Sequence, residues 1–355
     1  MKSNNEVLKG DKFNWLTSLR GLAAIMVVIL HLWELIKSNY GYSENFIESI
    51  LDFITIGVID IGKVGVVVFF LISGFLVPYT LKRRTKKSFI INRILRLYPV
   101  YWLSIILMVI IFGVNSKYQL ISNITMLQQF LGAENIISVY WTLPIELIFY
   151  FLCILLLYRK FLFNNKVIVN IVYVMLGLSL FFGAIRYITD KRLPIAVFLG
   201  IIVMFIGYIF RLSIDGEIGK GILYKVVIIF FIMLLPITIL SYSSDMGFSE
   251  TWYRYYITYS MGMILFYIFY KFNVGNKILI FLGNISYSIY LMHAIVMKAA
   301  FKYINFSNIN SLIFAIIIFF MILLTSTIVY YLVEVPFINI SKKIDFKNKK
   351  IKGNN

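Results

Sequence analysis

Four ionisable side chains interrupt long apolar segments of the sequence: Arg20, His31, Glu146 and His293. Such a group inside a membrane segment costs roughly 2.5 to 3.5 kcal/mol on insertion, so it is retained mainly where it has a use. The chain has only 2 histidines, and both are in this set. An imidazole can accept a hydroxyl proton near neutral pH, and a nearby carboxylate can orient the ring. The set therefore predicts general-base chemistry on a hydroxyl group.

Arg20 and His31 are predicted to share one face of a helix. They are 11 positions apart, which at 3.6 residues per turn is three turns plus only about 20°. At ~1.5 Å per residue they are roughly 16 Å apart along the axis, about half the hydrocarbon thickness. We expect Arg20 near the cytoplasm, and His31, Glu146 and His293 at similar depth in the outer half of the membrane.

Each of these residues also has a structural interpretation. Arg20 alone is typical of a snorkelling, topology-setting residue, and Glu146 can pair with a cation. A lone buried His293 is as typical of an interhelical hydrogen bond as of a ligand or base. Two histidines on separate helices with one carboxylate give no recognisable ligand spacing, so no metal site is predicted.

The elements that must position these groups are membrane helices. Of 355 residues, 61% are hydrophobic and 14% charged, which is outside the range of soluble domains. The apolar runs do not alternate with polar residues as the strands of a β-barrel would. We predict an all-α polytopic transmembrane helical bundle, with spans at 16–36, 56–80, 97–114, 137–158, 166–187, 193–212, 221–241, 252–271, 277–300 and 311–334. Residues 120–131 are too short and polar to span and are predicted to be interfacial or re-entrant.

The loop charges orient this bundle. Arg20, Lys63 and Lys225 fall within spans and are left out. The other Lys and Arg residues, in the tails, the loops and the span ends, number 23 on the side that holds the termini and 8 on the other, so both termini are predicted to be cytoplasmic. The same distribution explains the formal charge of +18 without nucleic-acid binding. The predicted organisation is a cytoplasmic tail at 1–12, one transmembrane domain at 13–340 and a second cytoplasmic tail at 341–355.

Six motifs follow one another through these spans. They are Leu19-Arg20-Gly21 with His31; residues 68–76, which contain Ser73-Gly74-Phe75; Arg93 with Arg96-Leu97-Tyr98-Pro99-Val100-Tyr101-Trp102; Trp141-Thr142-Leu143-Pro144-Ile145-Glu146 with Phe149-Tyr150; residues 286–293, ending at His293; and Val333-Glu334-Val335-Pro336-Phe337. In this order they resemble acyltransferase family 3, the bacterial membrane O-acyltransferases of surface polysaccharides.

The resemblance implies a donor, an acceptor and a set of site residues. The donor would be acetyl-CoA or another acyl-CoA from the cytoplasm, and the acceptor a hydroxyl of a cell-surface polysaccharide or its lipid-linked precursor, in a multi-pass protein of the cell membrane. The implied roles are catalytic for His31, Arg20 and Glu146; donor-binding for Arg93 and Arg96; and supporting or substrate-binding for His293, Trp141, Tyr150 and Ser73. We expect Ser73 and Gly74 to allow close helix approach.

Two other functions compete with this interpretation. A transporter or flippase for a polar or lipid-linked substrate would also line a path with buried charges, although the sequence has no inverted repeat to favour it. A non-catalytic assembly or sensor protein would use the histidines only for partner association.

Overall fold

The computed structural model describes residues 13–41, 46–243, 251–304 and 309–352, and these residues form helices and connecting turns without a β-strand. The α-helices are α1 (Asn14–Tyr40), α2 (Phe46–Asp52), α3 (Ile61–Arg83), α4 (Lys86–Phe112), α5 (Lys117–Ile124), α6 (Thr142–Tyr158), α7 (Asn165–Thr189), α8 (Ile195–Ile214), α9 (Lys220–Ser241), α10 (Trp252–Lys271), α11 (Lys277–Asn284), α12 (Ser286–Tyr303), α13 (Ser311–Val329) and α14 (Val335–Lys352).

Within these ranges, 8 helical segments are long and apolar enough to cross a membrane. A further candidate is the pair α11 and α12, which meet at a bend of 71°. Helix α10 occupies the predicted span at 252–271 but is not one of these candidate membrane-spanning segments. The all-α polytopic class is therefore confirmed, while the count of ten spans and the cytoplasmic termini stay predictions.

One predicted boundary differs from the structure. The basic segment between the predicted second and third spans, which those spans leave as a loop, is mostly the first part of α4, which begins at Lys86. Thr85 caps this helix, since its hydroxyl oxygen accepts a hydrogen bond from the backbone N–H of Ser88 at 3.2 Å; such a cap favours a helix start there. Helix α14 contains residue 340, and the start of a cytoplasmic tail at residue 341 stays a prediction.

One compact unit comprises Met1–Leu30, Tyr42–Pro78 and Ile148–Asn284, considered over its described residues. Helices α7, α8, α9 and α10 pack against one another in chain order. Trp15 meets Phe75 and Phe266 edge to face, with ring centroids 5.7 and 5.3 Å away, a favourable aromatic geometry. This unit contains the predicted site residues Arg20, Ser73 and Tyr150.

Close helix approach in this unit follows from two glycines. A Cβ at Gly74 would overlap the backbone carbonyl of Met204, and a Cβ at Gly207 would overlap that of Leu71. Helices α3 and α8 therefore meet backbone to backbone, as small residues permit in membranes. The close approach expected at Gly74 is confirmed, and that expected at Ser73 stays a prediction.

The other compact unit comprises His31–Gly41, Tyr79–Leu147 and Ile285–Asn355, again over its described residues. Helix α12 packs on α4 and α13, and α14 packs on α4. The unit also includes the last part of α1 and the start of α6. It contains the predicted site residues His31, Arg93, Arg96, Trp141, Glu146 and His293.

Residues 117–125 fold back along α4 in this unit. The side chains of Tyr98, Tyr101 and Trp102 donate hydrogen bonds to the backbone carbonyls of Thr125, Asn123 and Ile124, at 3.0, 2.6 and 3.0 Å respectively. Tyr98 lies 14 residues before the end of α4 at Phe112, which is roughly 21 Å along the axis. Residues 117–125 therefore lie against α4, held by these side-chain hydrogen bonds, and the interfacial or re-entrant placement of 120–131 stays a prediction.

Candidate active site

The two histidines of the chain meet in one unit, although they come from different helices. The imidazoles of His31 on α1 and His293 on α12 are stacked, with ring centroids 5.4 Å apart and planes inclined by 19°. His293 is fully buried, whereas the side chain of His31 is 31% exposed. The predicted gathering of these two residues is confirmed, and one of the pair can be reached from outside the protein.

The hydrogen bond of His293 defines its tautomer. Its Nδ1 lies 3.1 Å from the backbone carbonyl oxygen of Ile289. A carbonyl oxygen only accepts, so Nδ1 carries the proton and Nε2 holds the lone pair of the neutral ring. This Nε2 is buried and has no hydrogen-bond partner among the described residues. A buried acceptor without a partner is rare and calls for an explanation.

His31 is oriented by a carboxylate. Its Nδ1 lies 3.0 Å from Oε2 of Glu34, one turn further along α1. A carboxylate accepts the Nδ1 proton, which leaves Nε2 of His31 as the basic nitrogen. Glu34 was not among the predicted site residues, because it lies close to the end of the helix, where water can solvate a carboxylate. The signal for it was the i, i+3 spacing, which brings side chains together on a helix.

Two hydroxyl groups connect α12 to the start of α6. Tyr290 donates a hydrogen bond to the backbone carbonyl of Val139 at 2.7 Å, so the Thr142 hydroxyl, 2.7 Å from the Tyr290 oxygen, donates to it. The Tyr290 ring centroid lies 6.1 Å from that of His293. Tyr290 and Thr142 were not predicted as site residues, although both lie inside quoted motifs. They fix the histidine-bearing helix against the segment that contains half-buried Trp141.

Glu146 lies close to two tyrosines of α12. Its carboxylate interacts electrostatically with the hydroxyls of Tyr287 and Tyr290. Tyr287 is six residues before His293, or roughly 9 Å along the axis, and its hydroxyl donates to the backbone carbonyl of Leu97 at 2.8 Å. The carboxylate that contacts His31 at 3.0 Å is that of Glu34, and the common membrane depth expected for His31, Glu146 and His293 stays a prediction.

A second buried polar contact joins the last two motifs. Ser288 donates a hydrogen bond to the Glu334 carboxylate at 2.7 Å, and the two residues are 0% and 3% exposed. Glu334 ends a π-helical turn, Tyr330–Glu334, between α13 and α14. The contact accounts for a carboxylate in an apolar region, because a buried charge needs a hydrogen-bond partner.

The predicted donor-binding arginines lie three residues apart on α4, and both are half-buried. Arg93 donates a hydrogen bond to the Thr80 hydroxyl at 3.2 Å and lies over the Phe89 ring at 5.1 Å. These contacts hold the guanidinium of Arg93 at the end of α3, so its role is partly structural.

The remaining predicted site residues belong to the unit built around α7–α10. Arg20 and Ser73 are half-buried, and Tyr150 is buried. Arg20 lies on the uninterrupted helix α1 that also carries His31. The shared face of Arg20 and His31 and a role for Arg20 in catalysis stay predictions.

The unit around α7–α10 also contains a cavity of about 580 Å³, lined by residues that include Leu71, Ile206, Phe210, Lys220, Tyr224 and Phe266. None of the predicted site residues lines it. In the described ranges, no group of three or more His, Cys, Asp or Glu side chains is arranged to hold a metal ion.

A comparison with protein families gives one match over nearly the whole chain. A family model described as an acyltransferase domain matches residues 13–331. The matched range includes the histidine pair, Glu34, Glu146 and five of the six motifs. No curated protein and no solved structure matches the chain.

Proposed function

The chain belongs to acyltransferase family 3, and on that premise we propose that this membrane acyltransferase moves an acyl group from cytoplasmic acyl-CoA to a hydroxyl of a cell-surface polysaccharide or its lipid-linked precursor. Acetyl is the proposed acyl group, and the cell membrane is the proposed location. Family membership favours this reaction over transport or partner assembly, because the family model describes an enzyme.

The observation that supports the mechanism is the contact of His31 with Glu34 at 3.0 Å. Nε2 of His31 takes the proton of the acceptor hydroxyl, and the oxygen attacks the thioester carbonyl. Glu34 holds the Nδ1–H and stabilises the imidazolium that forms. The C–O bond of the ester forms, the C–S bond breaks, and the coenzyme A thiolate takes the proton from His31.

The other predicted residues have proposed supporting roles. Arg93 and Arg96 bind phosphates of the donor, because guanidinium groups pair well with phosphate. Arg20 anchors the donor or holds the surroundings of the catalytic histidine. Glu146, with Tyr287 and Tyr290 in its electrostatic range, contributes charge to the interior. Trp141 and Tyr150 help to shape the acceptor region.

The proposal is tested with the full chain reconstituted in vesicles and supplied with labelled acetyl-CoA. Mass spectrometry of surface glycans from cells with and without the chain identifies the acyl group and its carrier as a mass difference. His31→Ala should reduce transfer by roughly 10²- to 10⁴-fold, the usual contribution of a general base, with membrane expression retained. Full activity of this variant would contradict the mechanism.

A further inference from the structure

The unpartnered Nε2 of His293 points to a ligand that donates a hydrogen bond. The atom is buried, its ring is 0% exposed, and its tautomer is fixed by the Nδ1 bond to Ile289 at 3.1 Å. Flipping the proton to Nε2 would leave Nδ1 and the Ile289 carbonyl facing each other as two acceptors. The ring therefore presents a lone pair to the interior, which only a donor such as a hydroxyl can satisfy.

The second imidazole presents the same chemistry. Glu34 holds His31 so that Nε2 of His31 is also a hydrogen-bond acceptor. The two rings are nearly parallel and 5.4 Å apart between centroids. A hydrogen bond to each nitrogen spans about 2.7 to 3.2 Å. The spacing of the two rings is compatible with one hydrogen bond from each of two hydroxyls on neighbouring carbons of a single ligand.

We infer that the stacked pair is a two-point receptor for a vicinal diol, in which His31 activates one hydroxyl and His293 binds its neighbour. This inference rests on the proposed transfer to a hydroxyl, and it makes the acceptor a polyol rather than an isolated alcohol. His293 is then a residue that determines acceptor specificity, because an acceptor without the second hydroxyl leaves the buried Nε2 without a partner, and such a loss reduces binding.

Binding is measured first, because it needs no turnover. The full chain in lipid nanodiscs is titrated with cyclohexane-1,2-diol and with cyclohexanol, and affinities are taken from saturation-transfer NMR. The wild-type chain should bind the diol about five- to tenfold more tightly, the scale of one net hydrogen bond. Equal affinity for the two probes would overturn the inference.

Two substitutions at position 293 test the roles of the two ring nitrogens separately. In His293→Asn the shorter amide can still donate to the Ile289 carbonyl, but nothing replaces Nε2. In His293→Gln the longer amide reaches the position of Nε2. The preference for the diol should disappear in the asparagine variant and return at least in part in the glutamine variant. If His293→Asn kept the wild-type preference for the diol, Nε2 of His293 would have a purely structural role.

Ser326→Ala is the matched control, because Ser326 is also fully buried in this unit and its hydroxyl has no partner among the described residues. It should keep the diol preference. Acyl transfer from acetyl-CoA is measured separately on the same samples. If the wild-type chain prefers the diol but consumes no acetyl-CoA, the inference is supported and the proposed function is contradicted. If it consumes acetyl-CoA but does not prefer the diol, the proposed function is supported and the inference is contradicted.

Discussion

Nδ1 of His31 lies 3.0 Å from Oε2 of Glu34, one turn further along helix α1. The carboxylate and the imidazole thus belong to one rigid element, and their distance does not depend on the packing of other helices. A histidine held in this way keeps its proton on Nδ1 and its lone pair on Nε2.

Glu34→Gln should lower the rate of acyl transfer by about 10- to 100-fold, a typical loss when the group orienting a functional histidine is changed. Glutamine preserves the size of the side chain but removes the charge that stabilises the imidazolium. The measurement is the initial rate with labelled acetyl-CoA. Glu134→Gln, which changes an exposed carboxylate of the same unit, is the control, and equal rates for both variants would refute the role of Glu34.

Arg96→Gln should raise the KM for acyl-CoA roughly tenfold, the scale of one charge-assisted hydrogen bond, and leave kcat nearly unchanged. The reason is that a phosphate contact far from the reacting atoms strengthens binding before and during the reaction equally. Lys87→Gln removes an exposed cation from the same helix and should change KM by less than about twofold. An unaltered KM in Arg96→Gln would remove Arg96 from the donor site.

Tyr101→Phe should lower stability by about 0.5 to 1.5 kcal/mol, because it removes the hydrogen bond to the Asn123 carbonyl. Tyr101 is fully buried, so water cannot replace the lost donor. Thermal unfolding of the purified chain in detergent measures the change. Tyr98→Phe removes a more exposed hydrogen bond of the same kind and should lower stability by less. A larger loss of stability in Tyr98→Phe than in Tyr101→Phe would contradict the role of Tyr101 in holding residues 117–125 against α4.

Gly74→Ala should prevent correct folding or lower stability by about 1 to 3 kcal/mol, since the new Cβ overlaps the Met204 carbonyl and must force α3 and α8 apart. Gly177→Ala is the matched control on helix α7. A Cβ at Gly177 meets nothing within 4 Å, so alanine there should be neutral or stabilise the helix by up to about 1 kcal/mol. The yield of monodisperse protein and the unfolding temperature distinguish the two variants. A stable Gly74→Ala variant would show that α3 and α8 are less tightly packed than described above.

The sequence was sufficient to predict the helical class and the close approach at Gly74, because each leaves a local signal in apolar run length or residue size. It also identified both histidines as exceptional. It did not predict Glu34 as the partner of His31, since a carboxylate near a helix end is easily solvated and looks unremarkable. The bond between Thr142 and Tyr290 joins residues 148 positions apart, and hydroxyl pairs of that kind carry no periodic signal.

Residues 117–125 are anchored through their backbone, which leaves their side chains free to vary. Tyr98, Tyr101 and Trp102 recognise main-chain carbonyls, and every residue type supplies such a carbonyl. The outward-facing side chains of Ile121 and Ile124, which are 63% and 42% exposed, can therefore be exchanged while the path of the chain is retained. This stretch is a place where related enzymes, or a designer, can diversify surface chemistry without rebuilding the helices beneath it.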